Sequence, residues 1–177
     1  MEFNQPLDDI SFESDYDKQI VPLISVNKFA FFCVLTFGMY GAWWIYKSWK
    51  FFKEKDNLDI MPVARAIFAI FFTHALFEKI LDYARLNGYQ KTYSSTGLFI
   101  GFILINFSGR LPEPFSLISL FSFLFLIQPF EALNYAINNA EDYRGEVQNS
   151  LSSRQIALVV FGALFWMLVI IGLFLPQ

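Results

Sequence analysis

Ile156-Ala157-Leu158-Val159-Val160-Phe161-Gly162-Ala163-Leu164-Phe165-Trp166-Met167-Leu168-Val169-Ile170-Ile171-Gly172-Leu173-Phe174-Leu175 contains no charged residue and, its two glycines aside, is wholly apolar. As a helix at ~1.5 Å per residue it reaches ~30 Å, the thickness of a bilayer's hydrocarbon core. The stretch therefore predicts a helix solvated by lipid, and every other residue is read against that solvent.

Composition agrees. Of the 177 residues, 55% are hydrophobic and 16% charged, with 23 phenylalanines. Soluble domains usually carry about 25% charged residues. In water such a chain would expose apolar patches and associate. The net charge of −3 matters less than its placement. Asp8, Asp9, Glu13, Asp15 and Asp17 make the start acidic, whereas Lys47, Lys50, Lys53 and Lys55 form a basic cluster. An acidic start lacks the basic n-region of a cleavable signal peptide. Cys33 is a lone cysteine, so neither a disulfide nor a cysteine metal site is expected.

Working outward, residues 1–25 are expected to be an acidic flexible tail with a short interfacial piece at Ile20–Ile24, and 26–177 a single helical membrane domain. Apolar segments fall at about 28–46, 63–81, 93–107, 115–136 and 156–175. Together they predict an all-α polytopic transmembrane helical bundle with five membrane segments, or four if 93–107 is re-entrant, since about fifteen residues reach only ~22 Å. Pro62 suits a helix first turn, Asn87-Gly88 a helix end, and Gly109–Pro114 a turn. Asn138–Arg154 reads as a polar loop. The lysine cluster predicts a cytoplasmic loop at Lys47–Lys55, which puts the N-terminus outside.

No glycine-rich phosphate loop, paired cysteines, His-Glu-x-x-His or nucleophile elbow is present, so no enzyme, cofactor or metal is expected. The remaining signal is polar groups within apolar segments, which are costly in lipid and usually face the bundle interior or a wet cavity. His74 and Glu78 lie ~40° apart on one helical face. They suit a proton relay, or simply an i,i+4 contact at the membrane edge. Glu131, Asn134 and Asn138 share a face at i, i+3, i+7. They suit an ion, substrate or headgroup site, or interhelical hydrogen bonds that fix packing. Arg65 would pair with Glu131 or snorkel to phosphates. Gly97 and Gly101, and Ser116, Ser119 and Ser122, offer close helix approaches. Trp43, Trp44, Lys47, Trp49 and Lys50 form a pattern expected at the lipid interface, favouring anionic lipid over nucleic acid.

Phe37-Gly38-Met39-Tyr40-Gly41-Ala42-Trp43-Trp44-Ile45-Tyr46-Lys47-Ser48-Trp49-Lys50, followed by Ile60-Met61-Pro62-Val63-Ala64-Arg65-Ala66-Ile67-Phe68, resembles a group of small multi-span bacterial inner-membrane proteins. These share a Gly-x-Tyr-x-x-Tyr/Trp-Trp-x-Tyr-Lys-x-Trp motif and a following Pro-x-x-Arg-Ala-Ile-Phe. The likeness covers about residues 28–80, with a fainter Leu-Pro-x-Pro echo at Leu111–Pro114. It implies a bacterial inner-membrane location and supplies no activity. The expected role is a non-enzymatic accessory or scaffold protein with membrane lipids, a protein partner or a second copy as its contacts. The alternative is a small transporter or channel built on Glu131 and His74/Glu78.

Overall fold

The computed structural model describes residues 18–112, 115–148 and 150–174. The acidic stretch expected at the start therefore lies largely outside the described residues. Among the described residues seven α-helices dominate: α1 (Val26–Leu35), α2 (Met39–Lys55), α3 (Pro62–Ile67), α4 (Ala69–Leu86), α5 (Ser95–Ser108), α6 (Leu124–Asn139) and α7 (Ser153–Phe174). A 3₁₀ stretch, Phe115–Phe123, leads into α6. The all-α expectation holds for the bulk of the chain. Two helical stretches, Phe115–Asn139 and Gln155–Gly172, are long and apolar enough to cross a membrane.

The first expected segment is not one helix. Ser25 caps α1 by accepting from the Lys28 amide, and Thr36 ends it by donating to Phe32 O at 2.7 Å. Phe37 (φ 53°) and Gly38 (φ 84°) then take left-handed conformations in succession. Two such residues reverse the chain, and glycine carries the second at little steric cost. α2 consequently runs back along α1: the rings of Phe29 and Trp44 lie 5.8 Å apart, and a Cβ on Gly41 would stand 3.8 Å from Cys33 Sγ. This hairpin corrects the expected threading. Gln19–Leu23 and the lysine-rich end of α2 share one end of the molecule, where both line a single cleft.

Two further breaks were not expected. Phe68 (φ −91°, ψ 39°) separates α3 from α4. Within the stretch taken as a tail, Gln19–Leu23 forms strand β1, and within the expected polar loop Tyr143–Val147 forms β2. The two pair in parallel, Gln19 opposite Tyr143 and Leu23 opposite Val147. A parallel pair needs a long crossover, here α1 to α6, and Ile20, Val21 and Val147 supply β-branched residues for it.

α5 returns antiparallel to α4, with Tyr93 donating to Phe77 O at 2.8 Å and Thr96 bonded to His74. Of the small residues expected to admit close approach, Gly101 lies under the Phe125 ring and Ser119 beside Gly109, whereas Gly97 meets only its own cap, Ser94. The core is aromatic. Phe29 stacks on Phe130 at 4.3 Å, and Trp44 closes the group at 5.9 Å from Phe130. These three rings tie α1, α2 and α6 together. α7 touches the rest lightly: Gly162 sits against Leu35, and Trp166 stacks on Phe37 at 4.6 Å while donating to Val34 O.

Candidate functional site

Charge is segregated along the bundle. No Asp, Glu, Lys or Arg lies between Phe29 and Tyr46, between Ala66 and Thr73, or from Gln155 onward, and only Arg110 and Glu113 occur between Thr92 and Phe130. The reversal at Thr36–Gly38 therefore tips a half that is nearly free of charge, with Arg110 beside it. The lysine-rich end of α2, β1 and β2 gather at the opposite, charged end.

On α4, His74 Nδ1 stands 3.6 Å from Glu78 Oε2, and its Nε2 lies 3.0 Å from Thr96 Oγ1. The imidazole also meets the Phe99 ring edge-on at 5.6 Å. Thr96 and Phe99 fasten α4 to the start of α5, whereas the Glu78 contact lies within α4. Glu78 is 58% exposed, so its attraction for an imidazolium is solvent-screened.

Arg65 forms no ion pair with Glu131 among the described residues. Its guanidinium lies over the Trp49 ring at 4.2 Å and 5.1 Å from the Phe72 ring centre. This is a cation–π arrangement that satisfies a charge with aromatic faces. The signal was available in the Trp49 indole, which a girdle reading had sent to the lipid. Trp49 is buried, as is Trp44, and of the three expected interfacial tryptophans only Trp43 is exposed, at 54%. The correction follows from the hairpin: α2 has a face to bury against α1, α4 and α6, and at i, i+1 spacing Trp43 and Trp44 cannot share it. Lys47 and Lys50 are exposed as expected, Lys50 pairing with Glu54 at 3.4 Å.

Glu131, Asn134 and Asn138 share a face of α6 and diverge in what they touch. The Asn134 amide donates to Ile24 O at 3.1 Å, joining α6 to the entry of α1. Asn138 lies directly over Gly145 of β2, leaving no room for a side chain there. Glu131 lies near Tyr89, whose phenol is held above its ordinary value by burial and by that carboxylate. His74, Glu78 and Arg65 join none of these. Of the six, only His74 and Glu78 meet each other; Arg65, Glu131, Asn134 and Asn138 lie in separate surroundings.

The charged end holds a cluster the sequence reading missed. Asp56 accepts from Lys79 at 2.6 Å and from Lys55 at 3.0 Å. Lys79 also lies over the Phe52 ring and Lys55 over Tyr83. Burial acts to raise the Asp56 carboxyl, and the two ammonium groups outweigh it, so its pKa falls below the ordinary value. A depressed carboxylate contributes stability above its unfolded pKa of about 3.9, lost as pH falls through the lower folded value. Asp56→Asn is therefore expected to cost about 1 kcal/mol or less at neutral pH, given the partial exposure of all partners. The gap from wild type should narrow as pH falls below the ordinary carboxylate range, in unfolding midpoints followed by circular dichroism. A gap that stays constant through that fall would remove the ion pair from the account.

Two clefts flank the core. One, of about 420 Å³ at the uncharged end, includes Gly38, Asn106, Arg110 and Ser122 in its lining. The other, of about 370 Å³ at the charged end, lies between β1, α2 and α6 and includes Trp44, Lys47, Asn134 and Gln155. Asn134 apart, none of the six polar candidates lines either cleft. Among the described residues no three His, Cys, Asp or Glu side chains gather as a metal ion requires. No protein-family model, curated protein or solved structure matches the chain.

Proposed function

We propose that this chain is a non-enzymatic integral membrane protein acting as an accessory or scaffold, with its charged end at one membrane face. The observation that carries this reading is α7. Its Gln155–Gly172 stretch is only 6% buried, and Phe161, Leu164, Met167, Leu168 and Ile171 all stand exposed. Apolar surface on that scale needs lipid or another protein against it. The bacterial inner membrane is the location suggested by the resemblance at Phe37–Phe68. The polar residues that would build a transport path do not converge on either cleft, which favours a packing role over conduction.

The test uses the full chain, tagged and extracted from native membranes in mild detergent. The expected result is recovery in the membrane pellet after alkaline washing, followed by elution as a complex with a second copy or a protein partner. Recovery as a detergent-free soluble monomer would overturn the membrane assignment. A lone monomer that conducts ions in proteoliposomes would overturn the scaffold role.

A further inference from the structure

We infer that the cleft at the charged end, between β1, α2 and α6, binds the phosphate headgroup of an anionic phospholipid. The inference rests on the membrane reading above and deepens it by naming a ligand. Three features carry it.

The first is chemical zoning. The inner part of the cleft is made by Trp44, Phe130, Leu133 and Ile137, which belong to the apolar core. Its rim carries Lys47, Lys50 and Glu54. An occupant must therefore be apolar at one end and anionic at the other.

The second is charge. Glu54 is countered by Lys50 at 3.4 Å, whereas Lys47 makes no ion pair among the described residues. One uncompensated cation faces the cleft, matching the single negative charge of a phosphodiester. Asn134 is engaged with Ile24 O, and the Gln155 carboxamide oxygen accepts from the Ser152 amide, so the lysine is the principal anchor left for an anion. One such cation is too few for nucleic acid, whose affinity grows with the number of phosphates neutralised.

The third is level and size. The cleft straddles the boundary between the charged end and the uncharged half that begins at Phe29, which is where headgroups meet acyl chains. At about 370 Å³ it is near the small end of ligand pockets, roughly 300–1,000 Å³. That volume suits a headgroup and glycerol, with the acyl chains leaving past Trp43, which lines the cleft and is exposed.

The experiment titrates the delipidated full-length protein in neutral detergent with brominated phosphatidylglycerol or brominated phosphatidylcholine, reading tryptophan quenching. The expected result is a preference of about fivefold for the anionic lipid, the size of one lysine–headgroup interaction. Lys47→Gln, at an exposed position, should abolish the preference with an unchanged melting curve, and Lys53→Gln, outside the cleft, should keep it. Equal affinity for the two lipids, or a preference retained in Lys47→Gln, would overturn the inference. So would displacement of the lipid by inorganic phosphate at equal concentration, which would assign the cleft to a free anion. Any of these results in a protein that still pellets with membranes leaves the scaffold reading standing, so the two fail separately.

Discussion

Phe130→Ala is expected to be among the most destabilising single truncations in this chain, lowering the unfolding free energy by about 3 kcal/mol, the low end for a buried phenylalanine. The ring is 2% exposed, stacks on Phe29 at 4.3 Å and lies 5.9 Å from Trp44. Its removal leaves a void where three helices meet, and Pro129 beside it limits how far α6 can relax inward. In lipid the transfer contribution shrinks, because the reference solvent is itself apolar, while the lost dispersion contacts remain. That argument sets the low end of the range. Phe31→Ala on α1, with its side chain 53% exposed, removes the same atoms from a surface and should cost less than about 0.5 kcal/mol. Thermal unfolding in detergent, followed by circular dichroism, compares the two. Equal losses would mean that the three-ring cluster does not hold α1 to α6.

That pair of phenylalanines also shows what a sequence reading can and cannot resolve here. Both lie in apolar runs, and in a chain with 23 phenylalanines hydrophobicity alone does not separate a core ring from a lipid-facing one. Helicity and its local stops were legible because they depend on neighbours. Asn87-Gly88 ends α4 with Gly88 at φ 86°, and Pro62 opens α3, as local rules require. The reversal at Thr36–Gly38 was not legible, because Phe37 adopts its left-handed conformation without being glycine or asparagine. The break at Phe68 has no proline or glycine to mark it. Pairing of β1 with β2 joins residues more than a hundred positions apart, and neither five-residue strand stands out alone. The candidate site divides in the same way. The His74–Glu78 contact followed from helical spacing, whereas Arg65 over Trp49, Asn134 on Ile24 O and Asp56 on Lys79 needed the packing of separate helices.

The hairpin makes an all-or-none prediction about sidedness. In a Cys33→Ser background, which removes the one native thiol, cysteines placed at Ile20 and at Lys53 should react with a membrane-impermeant maleimide from the same side. Both positions are exposed, Ile20 at 66%, so accessibility does not decide the result. Geometry does. α2 returns along α1, and β1 lines the same cleft as Lys47, Lys50 and Glu54. A straight crossing over 28–46 would put the two cysteines on opposite faces, and one alone would label. A third cysteine at Leu111, exposed beside the turn at the uncharged end, should label from the opposite side, because Arg110 lines the cleft with Phe37 and Gly38 at the hairpin tip. The lysine cluster would by the positive-inside bias then carry β1 with it to the cytoplasmic face, reversing the expected position of the N-terminal segment. Ile20 and Lys53 labelling from opposite sides would show that the reversal at Phe37-Gly38 does not survive in a bilayer. The headgroup cleft would be lost with it, since β1 supplies one of its walls.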